Sequence, residues 1–72
     1  MSKLKLYRLE AGFNQHELAA ASDVPRYKIQ QCESGFCLPT FEEMEKLAAA
    51  LGKSTEKIFG GRANSVLGED EA

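Results

Sequence analysis

The side chains that could do acid, base or metal chemistry are few in this sequence and form no reactive pattern. His16 is the single histidine, and Cys32 and Cys37 are the two cysteines. A structural zinc site needs four such ligands at characteristic spacing, so no metal site is predicted. No nucleophile with a nearby base and no glycine-rich phosphate loop is visible. We therefore expect no enzyme activity and no cofactor.

A second group of side chains is suited to hydrogen bonding with bases or phosphates. It occupies positions 26–31 around the apolar Ile29 and comprises Arg26, Tyr27, Lys28, Gln30 and Gln31. Arg can grip guanine through O6 and N7, and Gln can pair with adenine through N6 and N7, which discriminates between bases by about 1 to 3 kcal/mol per bidentate contact. A merely solvated helix face has a similar composition, so residue type alone leaves both interpretations open.

Five short helices are predicted to position these side chains. In chain order they span about residues 2–11, 15–21, 25–33, 40–51 and 55–59. Ser2 can cap the first helix, and the pairs Asn14 with Glu17 and Thr40 with Glu43 have the spacing of capping boxes. In the fourth helix, apolar residues recur at helical intervals, namely Phe41, Met44, Leu47, Ala48 and Leu51. No strand, repeat or linker is predicted.

Length and composition indicate one globular domain. The chain has 72 residues, of which 43% are hydrophobic and 28% charged, and no apolar run approaches the roughly 20 residues of a membrane span. No signal-peptide pattern opens it, so we expect a cytoplasmic protein without membrane partners. The predicted organisation is a helical domain over residues 1–60 and an acidic, flexible tail over residues 61–72. The net charge of −2 argues weakly against nucleic acid, although residues 1–67 carry nine positive and eight negative charges.

The join between the second and third helices is the most informative feature. A turn of about three residues at 22–24 separates them, and the small residues Ala19 and Ala20 stand where two helices must cross closely. This spacing suits a helix-turn-helix. On spacing alone, an ordinary helical bundle without a nucleic-acid role remains an equal alternative.

An ordered series of residues resembles the Cro and C1 type (XRE-like) repressor family. The series comprises Arg8, Gly12 to Gln15, Leu18 and Ala19, Val24, Ile29, Glu33 to Gly35, Pro39 and Thr40, and Leu47 to Gly52. It covers about residues 4–59. The resemblance implies an all-α, compact five-helix domain of the lambda-repressor type, whose third helix enters the major groove of double-stranded DNA.

The resemblance also implies roles for individual residues. Gln15 occupies the position that contacts a phosphate and braces the recognition helix. Arg8 and Glu33 match positions that form a partly buried, structural ion pair between the first and third helices. On the third helix, Arg26, Tyr27 and Gln31 are predicted to read base edges, Lys28 to contact phosphate and Gln30 to share the exposed face.

Three departures from the family pattern leave details open. Asp23 stands where Gly is frequent in the turn, and Pro25 replaces the usual hydroxyl cap of the third helix. The loop 36–38, often basic in relatives, reads Phe-Cys-Leu here. Exposed apolar residues in that loop would suit a protein partner.

These features therefore predict two alternative functions from different classes. The first is a sequence-specific transcriptional regulator, a repressor or autoregulator, that binds a palindromic operator as a homodimer. A homodimer that forms only on DNA also fits this prediction. Its interface is predicted at Ile58 and Phe59, with Val66 and Leu67 as further candidates. The alternative is a protein-interaction or antitoxin-like module that keeps the helix-turn-helix fold.

Overall fold

The computed structural model of the protein describes residues 2–60, which form five helices and no strand. The helices are α1 (Lys3–Glu10), α2 (Gln15–Ser22), α3 (Arg26–Ser34), α4 (Phe41–Leu51) and α5 (Thr55–Phe59). This confirms the predicted all-α, five-helix fold, and the predicted tail 61–72 lies outside the described residues. Within the described range, no helix combines the length and apolar character needed to cross a membrane.

Side chains at the helix starts satisfy amide groups that would otherwise lack partners. The Asn14 side chain accepts from the Glu17 amide at 2.7 Å, and the Glu17 carboxylate accepts from the Asn14 amide at 2.8 Å. Thr40 and Glu43 repeat this reciprocal pair at 3.1 and 2.9 Å. Each such cap stabilises a helix by about 1 kcal/mol, so the predicted capping boxes set where α2 and α4 begin.

The turn between α2 and α3 depends on a left-handed residue and a proline. Asp23 has φ 63° and ψ 32°, and its amide donates to the Ala19 carbonyl at 2.9 Å. Asp is one of the few residues other than Gly that adopt this conformation at modest cost. Val24 then enters the core, and Pro25, with φ −58°, fixes the direction in which α3 starts.

The core lies where all five helices meet. Its buried members are Leu4, Leu18, Val24, Ile29, Leu47, Ala48, Leu51 and Ile58. Helix α4 packs against α2 and α5, and its Met44 is also buried. Phe41 belongs to the same helical pattern of apolar residues, but it is 44% exposed. Phe41 is the first residue of α4, and this end of the apolar stripe extends past the helices that cover the rest of the stripe.

The packing of α5 buries one of the two residues that were predicted to form the dimer interface. Ile58 is 3% exposed and packs into the core of its own chain, because α5 lies against both α1 and α4. It therefore has no free surface to offer a second copy, and its assignment to a dimer interface is corrected. Phe59 is half-buried against the same core. Val66 and Leu67 lie outside the described residues.

Candidate nucleic-acid interface

Helix α3 has one side fixed in the domain and another directed to solvent. Ile29 is fully buried, and Cys32 packs half-buried against the core. On the opposite side, four predicted DNA-binding residues are exposed, namely Arg26, Tyr27, Gln30 and Gln31. The helix therefore presents a continuous polar surface from a rigid support.

A buried polar network holds the C-terminal half of α3. The Arg8 guanidinium donates from Nε to Glu33 Oε2 at 2.7 Å and from Nη2 to Oε1 at 3.1 Å. The two side chains are only 8% and 5% exposed, and Arg8 Nη1 also donates to the Phe13 carbonyl at 3.0 Å. The hydrogen bond with Glu33 raises the pKa of Arg8 above its ordinary value. The structure thus contains the predicted ion pair, which ties α3 to α1.

Gln15 extends this network to α2. Its Nε2 donates to Glu33 Oε1 at 3.1 Å, and its side chain is half-buried at the first position of α2. The two helices of the motif are therefore joined by a direct hydrogen bond as well as by the turn. This contact matches the bracing role expected of Gln15, whereas its phosphate contact remains a prediction.

Lys28 is placed differently from the other polar residues of α3. Its Nζ lies 3.7 Å from Glu43 Oε1, and its side chain is 21% exposed. Burial lowers the pKa of Lys28, but the charge of Glu43 and the neighbouring thiols raise it, and the net pKa lies above its ordinary value. Lys28 is thus a cation already attracted to α4. Sequence reasoning missed this pair because the two residues belong to different helices.

The N-terminal end of α3 is open to an anion. Pro25 is its N-cap residue and makes no side-chain hydrogen bond to the helix, and the first turn contains no acidic residue. The first amides of a helix point outward and carry the positive end of its dipole. With Arg26 exposed beside them, they form a surface that suits a phosphate group.

The C-terminal end of α3 brings a further residue to the exposed surface. Gly35 adopts φ 85°, so that the Phe36 amide donates back to the Gln31 carbonyl at 3.0 Å. Phe36 is 83% exposed and lines a cleft of about 230 Å³ together with Tyr27, Gln30, Gln31 and Ser34. The sequence placed Phe36 in a loop but gave no sign that it joins this face.

The two cysteines lie near the same end of α3, Cys32 within the helix and Cys37 in the loop that follows it. Cys37 Sγ donates to Gln31 Oε1 at 3.5 Å, and both thiols are free. Burial raises the pKa of Cys32 to about 11, with a smaller contribution from Cys37. Among residues 2–60, no group of three or more His, Cys, Asp or Glu side chains is arranged to hold a metal ion.

The geometry agrees with a comparison against known families. A family model described as a helix-turn-helix domain matches residues 2–58, which include α1 to α4 and most of α5. Neither the curated proteins nor the solved structures gave a match. The family match extends over most of the chain and includes the α2, turn and α3 unit. The chain therefore belongs to the helix-turn-helix domain family.

Proposed function

We propose that the protein is a sequence-specific DNA-binding transcriptional regulator that reads the major groove with α3. The observation that carries this proposal is the two-sided α3. Its inner side is fixed by Ile29 and by the Arg8 and Glu33 pair, while its outer side presents Arg26, Gln30 and Gln31. A helix of about 10 to 12 Å diameter fits the major groove, which is about 12 Å wide.

The proposed contacts divide into two kinds. Arg26, Tyr27, Gln30 and Gln31 would contact base edges and therefore specify the sequence. The open amides at the start of α3 and the side chain of Gln15 would contact phosphates and therefore set register and orientation. Lys28 would bind a phosphate only if its ammonium group left its present partner, the Glu43 carboxylate.

A single copy reads too little DNA for a unique site. The nine residues of α3 extend over about 13 Å, which corresponds to about four base pairs. We therefore propose a homodimer on a palindromic operator, formed on the DNA itself, with two α3 helices one helical turn apart. Phe59, half-buried at the end of α5, is the described residue we assign to that contact.

The proposed regulator acts in the cytoplasm by binding, without catalysis. Occupation of an operator by a compact domain would exclude other proteins from the same DNA, which favours a repressor or autoregulator over an activator. Selection of bound sites from random DNA tests this proposal. We expect enrichment of two related half-sites in inverted orientation, and enrichment of no sequence would refute specific binding.

A second candidate function rests on the exposed apolar loop after α3. Phe36 is 83% and Leu38 is 52% exposed, and such residues are more typical of a protein contact than of a solvated loop. A module that binds a partner protein through this loop is therefore the alternative.

A salt titration separates the two functions. Two copies bring one Lys28 each to a phosphate, or roughly two neutralised phosphates, so log K should fall with log salt at a slope of about −2. Lys28→Ala should make the slope shallower. Lys53→Ala is the matched control, because that cation lies 5.6 Å from the ring of Tyr7 and is not part of α3. Salt-independent, weak DNA binding would favour the protein-interaction module.

Sedimentation on the palindrome tests the dimer, and a strictly one-to-one complex would exclude it.

A further inference from the structure

The cleft at the C-terminal end of α3 combines two exposed aromatic side chains with amide groups. Tyr27, Gln30, Gln31 and Ser34 recur at the spacing of one helix face, and Phe36 closes the cleft from the following loop. Tyr27 is 63% and Phe36 is 83% exposed. The cleft therefore presents aromatic surface at the C-terminal part of the face that we assign to base reading.

The fold itself does not explain the side chain of Phe36. Two hydrogen bonds close α3 in a Schellman motif, from the Gly35 amide to the Cys32 carbonyl at 3.3 Å and from the Phe36 amide to the Gln31 carbonyl at 3.0 Å. In this motif the residue after Gly usually makes an apolar contact with the residue at the Gln31 position. Here that residue is polar and Phe36 stays exposed, so the motif needs the backbone of Phe36 and not its ring.

The lining of the cleft limits what it can bind. None of its five residues is charged, so the cleft itself contains no cation to bind a phosphate and no carboxylate to bind a cation. It offers apolar ring surface beside side-chain amides. In the major groove, the 5-methyl group of thymine is the apolar feature among base edges, and adenine presents the N6 and N7 pattern that a Gln amide can match.

We propose that this cleft receives the 5-methyl group of a thymine, so that α3 reads an A·T base pair with Tyr27 and Phe36 on the methyl group and Gln30 on adenine. Gln30 is assigned the adenine because the Gln31 Oε1 already accepts from Cys37 Sγ at 3.5 Å. Both partners of one A·T pair lie side by side in the groove, and aromatic and amide side chains line the same cleft. This inference rests on the proposed DNA-binding function and names one determinant of its specificity.

Replacement of thymine by deoxyuridine tests the proposal, because it removes the methyl group and leaves base pairing intact. Each thymine of the selected operator is replaced in turn, and binding of the whole chain is measured by fluorescence anisotropy. At one thymine per half-site we expect an affinity loss of about fourfold, the effect of one buried methyl group. Phe36→Ala and Tyr27→Ala should bind thymine and deoxyuridine duplexes about equally.

Leu38→Ala is the matched control, because Leu38 is an exposed apolar residue of the same loop that does not line this cleft. It should keep the discrimination. Thermal unfolding will verify that each variant folds, as expected for residues this exposed. If the wild type binds its operator but no thymine replacement weakens binding, or if the loss persists in both aromatic variants, the cleft does not read thymine. If no DNA sequence is selected at all, the proposed function fails together with this inference.

Discussion

Replacement of Arg8 by Met tests whether the buried network that joins α1, α2 and α3 stabilises the domain. The substitution removes two hydrogen bonds to Glu33, at 2.7 and 3.1 Å, and one to the Phe13 carbonyl at 3.0 Å. It leaves the Glu33 carboxylate, whose side chain is 5% exposed, with the amide of Gln15 as its remaining donor within residues 2–60. A charge left in this position loses most of its compensation.

The expected cost follows from this burial. Removal of one partner of a buried ion pair destabilises a protein by about 3 to 5 kcal/mol, and the surviving Gln15 contact places Arg8→Met near 3 kcal/mol. A domain of this size has a total stability of about 6 kcal/mol, at roughly 0.1 kcal/mol per residue. The substitution should therefore remove about half of the free energy of unfolding and lower Tm by about 12 to 24 °C.

Urea and thermal unfolding, followed by circular dichroism, measure this cost. The double variant Arg8→Met with Glu33→Leu should be more stable than Arg8→Met alone, because it leaves no buried charge. Lys46→Met is the control for an exposed pair, since Lys46 lies 3.7 Å from Asp23, whose side chain is 94% exposed, and the change should cost less than about 1 kcal/mol. The reasoning is refuted if Arg8→Met costs no more than Lys46→Met, or if the double variant is less stable than the single one.

Three further outcomes are expected. Arg26→Ala or Gln31→Ala should relax preference at particular base positions, whereas Gln15→Ala should weaken binding to all sequences about equally. Selection profiles of the three variants measure this, and unchanged profiles for both α3 variants would remove them from the reading set. Ser22→Ala should raise the free energy of unfolding by about 1 kcal/mol in urea titrations, because the buried Ser22 hydroxyl has no hydrogen-bond partner within the described residues and Ala favours a helix; a loss of stability would contradict this. The raised pKa of Cys32, about 11 against 9.0, means that its contribution to stability is complete below pH 9 and declines as the pH rises toward 11. Wild type should therefore lose more stability than Cys32→Ala between pH 8 and pH 10.5, and equal losses would show that this thiol does not titrate differently in the folded chain.

Features set by neighbouring residues could be predicted from the sequence. The capping boxes of Asn14 with Glu17 and Thr40 with Glu43 join residues three positions apart, so no knowledge of the tertiary fold was needed. Asp23, at the turn position where Gly is frequent, adopts the left-handed conformation that Asp tolerates at modest cost. These local signals set the number and order of the helices, and the α2, turn and α3 unit follows from them.

Features set by distant residues were missed or came only from the resemblance. Helical periodicity identified the apolar stripe of α4 but not that Phe41 lies beyond its covered part. Ile58 was predicted to lie at a dimer interface, whereas packing of α5 on α1 and α4 buries it within its own chain. Arg8 and Glu33 are 25 positions apart, and nothing in their own spacing indicates that they meet. Packing between helices, which periodicity does not encode, decides all three.

The negative net charge of the chain is less of an obstacle to DNA binding than its value of −2 implies, because several carboxylates are engaged in hydrogen bonds or ion pairs of the domain itself. Glu33 pairs with Arg8 on the inner side of α3, Glu17 caps α2, and Glu43 both caps α4 and lies beside Lys28. The outward stripe of α3 contains no carboxylate, so a duplex on this face would meet hydrogen-bonding and aromatic groups without local repulsion. Few free cations remain there to neutralise phosphates. The affinity of this face for DNA would then depend on base contacts and helix amides more than on charge. Because nonspecific binding comes mainly from phosphate neutralisation, this arrangement favours specific over nonspecific sites.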